Sequence, residues 1–220
     1  MSGSSVAVTA VLGQSPGGKI VAALVIAAFV CLVEWLLVFA PKRWTFARIA
    51  LDRRSQLEGV WTQNVTKIAS QSGVVDDNSF AVFWIEYQSG DYRVRGHAFD
   101  SAGHEVARWD SLGSPTFDAD GRSMRYEWQG ELLDEPQPTA DIERTGVTGI
   151  DIDADLTTGR GRVDHVGMNR TLLFTIERVT AEMLTQCGLA GLAPNGLTSS
   201  KHRNAFAREY SRLLSRVVET

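Results

Sequence analysis

The sequence predicts a mainly β protein: an eight-stranded antiparallel barrel with one N-terminal transmembrane helix before it and an amphipathic helix after it. Three observations predict this. One apolar run, Ile20 to Ala40, carries a single charge, Glu34. From Leu57 to Val179, apolar residues recur with period two in short runs separated by turn residues, which is strand patterning. Beyond Val179 the apolar spacing becomes helical.

Taken in order, residues 1–18 form an extracytoplasmic tail and 19–41 the transmembrane helix. The run 20–40 holds 21 residues, about 32 Å as an α-helix, enough for a hydrocarbon core of about 30 Å. Lys19 is the only charge before it, whereas Lys42, Arg43, Arg48, Arg53 and Arg54 follow it. Basic residues collect on the cytoplasmic side. The expectation is therefore a single pass of the cell inner membrane, with the chain from Pro41 onward in the cytoplasm. A cleaved signal peptide fits poorly: the first 18 residues carry no basic region, and Val38-Phe39-Ala40 lacks the small residue a cleavage site needs. Glu34 beside Trp35 reads either as a snorkelling or protonated side chain, or as a polar contact between helix copies. Residues 42–56 read as an amphipathic juxtamembrane linker, with Trp44 and Phe46 at the interface and the arginines toward headgroups.

Residues 57–180 form the β domain. Strand patterns cover 57–68, 80–88, 91–99, 104–112, 122–132, 145–156, 161–168 and 171–179. Ser89-Gly90 is a hairpin turn, and Asp100–Gly103, Asp118–Gly121 and Thr157–Gly159 are further turns. The segment 134–141 is too rich in proline for a strand. Eight strands joined in sequence close into a barrel that holds side chains or one small ligand; a sandwich is the alternative architecture. In 181–220, a small-residue stretch turns at Pro194-Asn195-Gly196. A helix then follows, capped by Ser199 or Ser200, with a stripe of Phe206, Tyr210, Leu213, Leu214 and Val217. Packing on the outside of the barrel or across its mouth is the plain reading of that stripe; a membrane or oligomer contact is the sharper one.

Charge is unevenly spread. Residues 1–56 carry 6 basic and 2 acidic groups, residues 57–180 carry 11 and 21, and residues 181–220 carry 5 and 3. An acidic body argues against sequence-independent binding to long nucleic acid. Cys31 and Cys187 make no disulfide framework.

Chemistry-bearing motifs are scarce. No phosphate-binding Gly-rich loop, no G-x-S-x-G and no Cys/His cluster occurs, so neither an enzyme nor a cofactor nor a metal is expected. His97 and His104 face each other across a turn and read as surface histidines. Asp151, Asp153 and Asp155 open like a calcium loop, but Leu156 and Arg162 stand where such a loop needs Gly and Glu; a solvated outer face fits better. Asn64-Val-Thr66 and Asn169-Arg-Thr171 match the glycosylation pattern but fall on the expected cytoplasmic side.

Arginines and aromatics in the strands are the candidate ligand-binding residues. Arg93, Arg95 and His97 share one face of their strand, and Tyr92, Val94, Gly96 and Ala98 the other. If the second set is core, Arg93 and Arg95 face solvent; if the barrel holds a polar pocket, they face inward and grip phosphate bidentately. Trp84, Trp109, Tyr126 and Trp128 are the stacking candidates for a base, against an ordinary core role.

Leu57-x-Gly59-x-Trp61, Tyr92-x-Val-x-Gly96, Asp100-Ser-Ala-Gly103 and Trp109-x-Ser111 resemble the membrane effectors of bacterial cyclic-oligonucleotide anti-phage signalling (CBASS). The opening L-x-G-x-W also resembles lipocalins. The resemblance implies a lipocalin-like barrel that senses a cyclic oligonucleotide. It also implies a homo-oligomer that disrupts the inner membrane; Arg93, Arg95, Trp84, Trp109 and Tyr126 are the expected ligand contacts on the residue reading above. A membrane-tethered lipocalin-like module for an apolar ligand or a protein partner is the alternative.

Overall fold

The computed structural model describes residues 16–38, 48–49, 52–69, 79–133, 144–166 and 170–218. The chain divides into two units, residues 1–52 and 53–220.

The first unit contains helix α1, Pro16–Val38, 23 residues long. Its described side chains are those of residues 24–35, and Leu24, Val25, Ile26 and Phe29 are all more than 60% exposed. Among the described residues no helix is long and apolar enough to cross a membrane. Residues 1–15 of the tail, 39–41 of the expected span, and 42–47 and 50–51 of the linker lie outside the described residues.

The second unit is a closed β-barrel. Its strands are β1 (Gly59–Ala69), β2 (Phe80–Gln88), β3 (Asp91–Phe99), β4 (Glu105–Ser111), β5 (Thr116–Phe117), β6 (Ser123–Leu132), β7 (Arg144–Ile152), β8 (Thr158–His165) and β9 (Arg170–Arg178). Each long strand pairs antiparallel with the next, β4 pairs with β6, and β9 returns to β1. The ring thus has eight long strands, and β5 is a two-residue addition on β6. The sandwich alternative is excluded by the β1–β9 pairing. The expected strands match closely, except that 145–156 ends early and 161–168 starts early: β8 begins at Thr158, so Thr158 and Gly159 are strand and not the expected turn. β7 stops at Ile152, because Asp153, Asp155, Thr157 and Thr158 bond to one another in a turn. Ser89 and Gly90 both adopt positive φ, 56° and 99°, as a tight hairpin between twisted strands requires.

Period-two patterning decides the interior. Trp61, Phe83, Tyr92, Val94, Tyr126, Ile150, Phe174 and Ile176 pack into one core inside the ring. A second core lies outside it, where Val60, Val82, Trp84 and Phe99 meet the C-terminal segment. That segment comprises α2 (Ala181–Gln186), a 3-10 turn at Pro194–Thr198, and α3 (Ser200–Val218). Thr180 caps α2 by accepting from the Met183 amide. Phe206, Ala207 and Tyr210 of α3 press on β1 and β2, so the helix packs on the outer wall, which is the plain reading of its stripe. Val217's side chain lies outside the described ones. Burial on both faces explains why Phe80–Ile85 is apolar without alternation.

One end of the barrel is sealed. A 3-10 turn at Arg53–Leu57 lies across it, with Leu57 fully buried. The Trp61 indole donates to the Leu57 carbonyl at 3.0 Å, and the Arg178 guanidinium lies 5.3 Å from the indole ring centre. Arg178 also donates to the carbonyls of Gln56 and Glu58. Gly59 has φ +142°, and a Cβ there would meet Arg178 at 3.2 Å. Leu57-x-Gly59-x-Trp61 is therefore a plug, a close approach and a lid on the core. Residues 53–56 belong to this unit. Arg54 does not serve the interface reading: its guanidinium lies over the rings of Tyr92 and Phe117.

Candidate functional site

The opposite end of the barrel is where the interior has room. A space of about 270 Å³ lies there, walled by Trp109, Tyr126, Trp128, Ala81, Val163 and Leu172, with Gln63, Thr148 and His165 as its polar members. Glycines facing tryptophans make this space. Gly96 is directly opposite Trp109, and Trp128 is directly opposite Gly146. A Cβ at Gly96 would lie 2.3 Å from the Trp109 ring, and one at Gly146 would lie 2.4 Å from the Trp128 ring. Each indole therefore lies flat over a glycine on the neighbouring strand instead of standing into the lumen.

The polar groups are set into an otherwise apolar wall. Thr148 and Trp109 hydrogen-bond the Tyr126 hydroxyl, and burial pushes that phenol up to about 12, so it stays neutral. His165 stands edge-on to Trp128, ring centres 5.3 Å apart. Gln63 is 8% exposed and faces the space. On the rim, Arg108 is ion-paired with Glu131. Two further arginines hold register positions beside lining residues: Arg144 is opposite Gly130, and Arg170 is opposite His165.

The expected site residues separate. Trp109 and Tyr126 line the interior space. Trp84 does not: it is on the outer face of β2, in the core beneath α3, and edge-on to His97. Arg93 and Arg95 face solvent, because Tyr92, Val94 and Gly96 take the inner face of β3. Arg95 pairs with Glu86 at 2.9 Å on that outer surface. The inward-arginine expectation is thereby corrected, by strand parity. His97 is also not an ordinary surface histidine. Its Nδ1 lies 2.7 Å from Glu105 Oε1, and Arg203 of α3 donates to Glu105 Oε2 at 3.4 Å. His104 is exposed, 3.3 Å from Asp100. Gln63, Thr148 and His165 were missed in the sequence. Their signal is parity with a known core residue on each strand, and small polar residues at those positions do not announce themselves.

A larger concavity, about 1040 Å³, lies on the outer wall of β6–β9. It is an open groove where Arg125, Arg160 and Arg162 mix with Asp151, Asp153 and Glu177, so its charges offset one another. Among the described residues no cluster of His, Cys, Asp and Glu is arranged to hold a metal.

These features define a closed up-and-down barrel with a sealed base and a small interior space at its mouth. No protein-family model matches the chain, and no curated protein matches it. Among solved structures, it is similar to a redesigned β-barrel at 14% identity and TM-score 0.41, covering 58% of this chain and 95% of that one. It is also similar to a biogenic amine-binding protein at 15% identity and TM-score 0.41, covering 63% and 76%.

Proposed function

We propose that the chain is a membrane-tethered, lipocalin-like binding module whose barrel takes a small, mostly apolar guest at its open end. The observation that carries this is the space of about 270 Å³, walled by indoles and aliphatic side chains with a few polar groups. It sits just under the 300–1,000 Å³ typical of small-molecule sites, and its composition is theirs. Tethering is supported by the apolar run Ile20–Ala40 and by the exposure of Leu24, Val25, Ile26 and Phe29 on α1. A helix apolar all round needs a cover, and a bilayer supplies one. Basic residues after the helix support a cytoplasmic side for the barrel.

The test is tryptophan fluorescence of the full chain in detergent, after native mass spectrometry has identified what co-purifies. Ala98→Phe, on the interior wall, should abolish the response while the fold is retained. A response untouched by that substitution would show that the guest sits elsewhere.

A second reading, a cyclic-oligonucleotide sensor whose oligomers disrupt the membrane, is favoured by one observation. Arg144 and Arg170 hold strand positions opposite Gly130 and His165, which line the interior space, and arginine is the residue suited to phosphate. Calorimetric titration with cyclic di- and trinucleotides separates the two readings. Binding weakened by Arg144→Gln and Arg170→Gln would favour the sensor; no heat from any member of the panel would remove it.

A further inference from the structure

We propose that a recess beside α3 binds a phosphate-class anion through Arg208, Arg212 and Arg216. The inference is independent of the interior site. The three arginines are spaced i, i+4, i+8, so they stand in one row on the helix. All three are exposed, and Phe206, Ala207 and Tyr210 take the opposite, buried face. They line a recess of about 360 Å³ together with Ser101, Ser211 and Ser215. Among the described residues no carboxylate lines it.

The recess is built, not incidental. Its far wall is the turn between β3 and β4, which sits directly on the helix backbone. Gly103 has φ +80°, and a Cβ there would lie 2.8 Å from the Arg208 Cα, so a side chain is excluded on two grounds. The Ser211 hydroxyl donates to the Ser101 carbonyl and ties turn to helix. Asp100 holds the turn from within by accepting the amides of Ala102 and His104. Of the three arginines, only Arg212 has an ion pair among the described residues, with Glu209 at 2.6 Å, and both partners are exposed. An exposed pair of this kind is worth at most about 1 kcal/mol, so an incoming anion readily replaces it. The guanidinium fork matches phosphate oxygens bidentately, which a lysine row would not.

The shared chemistry is a phosphate group, and it has two sources: a free phosphoryl compound or an anionic lipid headgroup. Full-length protein in neutral detergent is melted with inorganic phosphate, against chloride at matched ionic strength. The same protein is placed in nanodiscs of phosphatidylcholine with or without phosphatidylglycerol, and hydrogen exchange is read across 200–218. A phosphate-dependent rise in Tm that R208Q/R212Q/R216Q loses establishes the site with a free phosphate. No rise, but protection of α3 only over phosphatidylglycerol and only with the arginines present, establishes it with a headgroup. Neither effect, or the same effect in the triple variant, overturns the proposal. The charge-keeping R208K/R212K/R216K controls for folding and should bind about tenfold more weakly; if it binds as wild type, the bidentate site is overturned.

Discussion

At the base of the barrel Leu57 and Trp61 are fully buried with Arg178 over the indole, whereas at the mouth Trp109 and Trp128 border a space of about 270 Å³. Tryptophan serves both ends and does opposite things. Trp61 is fixed by a hydrogen bond to Leu57 and a guanidinium above it. Trp109 and Trp128 are laid flat by glycines on neighbouring strands, which clears the lumen above them. The lesson is that a cavity in a barrel this narrow depends on the residue opposite each aromatic.

The largest effect should come from breaking the base. Trp61→Ala removes a fully buried indole, its hydrogen bond and the seat of Arg178. It should lower stability by about 3–5 kcal/mol, read from the midpoint of urea unfolding at unchanged slope. A loss under 1 kcal/mol would mean that the base is not the anchor of the fold.

Filling the mouth should be costly, but less so. Gly146→Ala puts a methyl 2.4 Å from the Trp128 ring, so the indole must swing into the open space. The expected loss is about 1–3 kcal/mol, with a shifted tryptophan emission and weaker guest binding. Gly149→Ala, on the outer wall with nothing within 4 Å, is the internal control. It should be neutral or stabilise by up to about 1 kcal/mol. Equal losses at the two glycines would refute the account of the mouth.

The sequence marked the residues of the base as a motif, without their role, and did not mark the mouth. Leu57-x-Gly59-x-Trp61 is local, and its three positions act within one turn and one strand. Its partner Arg178 comes from more than a hundred residues away, so the plug itself appears only in the structure. The mouth is a property of register. Gly96 meets Trp109 and Gly146 meets Trp128 only after strand pairing fixes which residues are opposite. The same limit explains why Trp84 looked like Trp109. Both are strand tryptophans, and only α3 over the outer face distinguishes them.

Acid should loosen the mouth half before the base. His97, two residues from the mouth end of β3, is held below its ordinary 6.5, chiefly by burial, with Arg203 adding to it against the opposing pull of Glu105. Burial acts to raise Glu105, but the bonds and charges of His97 and Arg203 outweigh it and hold the carboxyl below 4.5. Both folded-state shifts are downward, so both contributions are present above the unfolded values. They fade as pH falls, first below 6.5 and then below 4.5. The contacts at Trp61 involve no group that titrates there. Hydrogen exchange at pH 5 should therefore rise in α3 and the ends of β3 and β4 while β1 near Trp61 stays protected. His97→Gln should flatten the upper part of this dependence. Uniform loosening of both ends would show that the His97–Glu105–Arg203 contact is not what titrates.

The smallest effect should follow Arg95→Ala. The guanidinium is outside the ring, its side chain 48% exposed, paired with a Glu86 that is 34% exposed. Solvent screens such a pair, and its removal should cost about 0.2–1 kcal/mol. Guest affinity should not change, because Val94 and Gly96 stand between this surface and the lumen. Phosphate response at α3 should not change either, since Arg95 is no part of that recess. A clear loss of guest binding in this variant would mean that β3 presents its other face to the ligand. It would also reverse the parity on which the interior site is built.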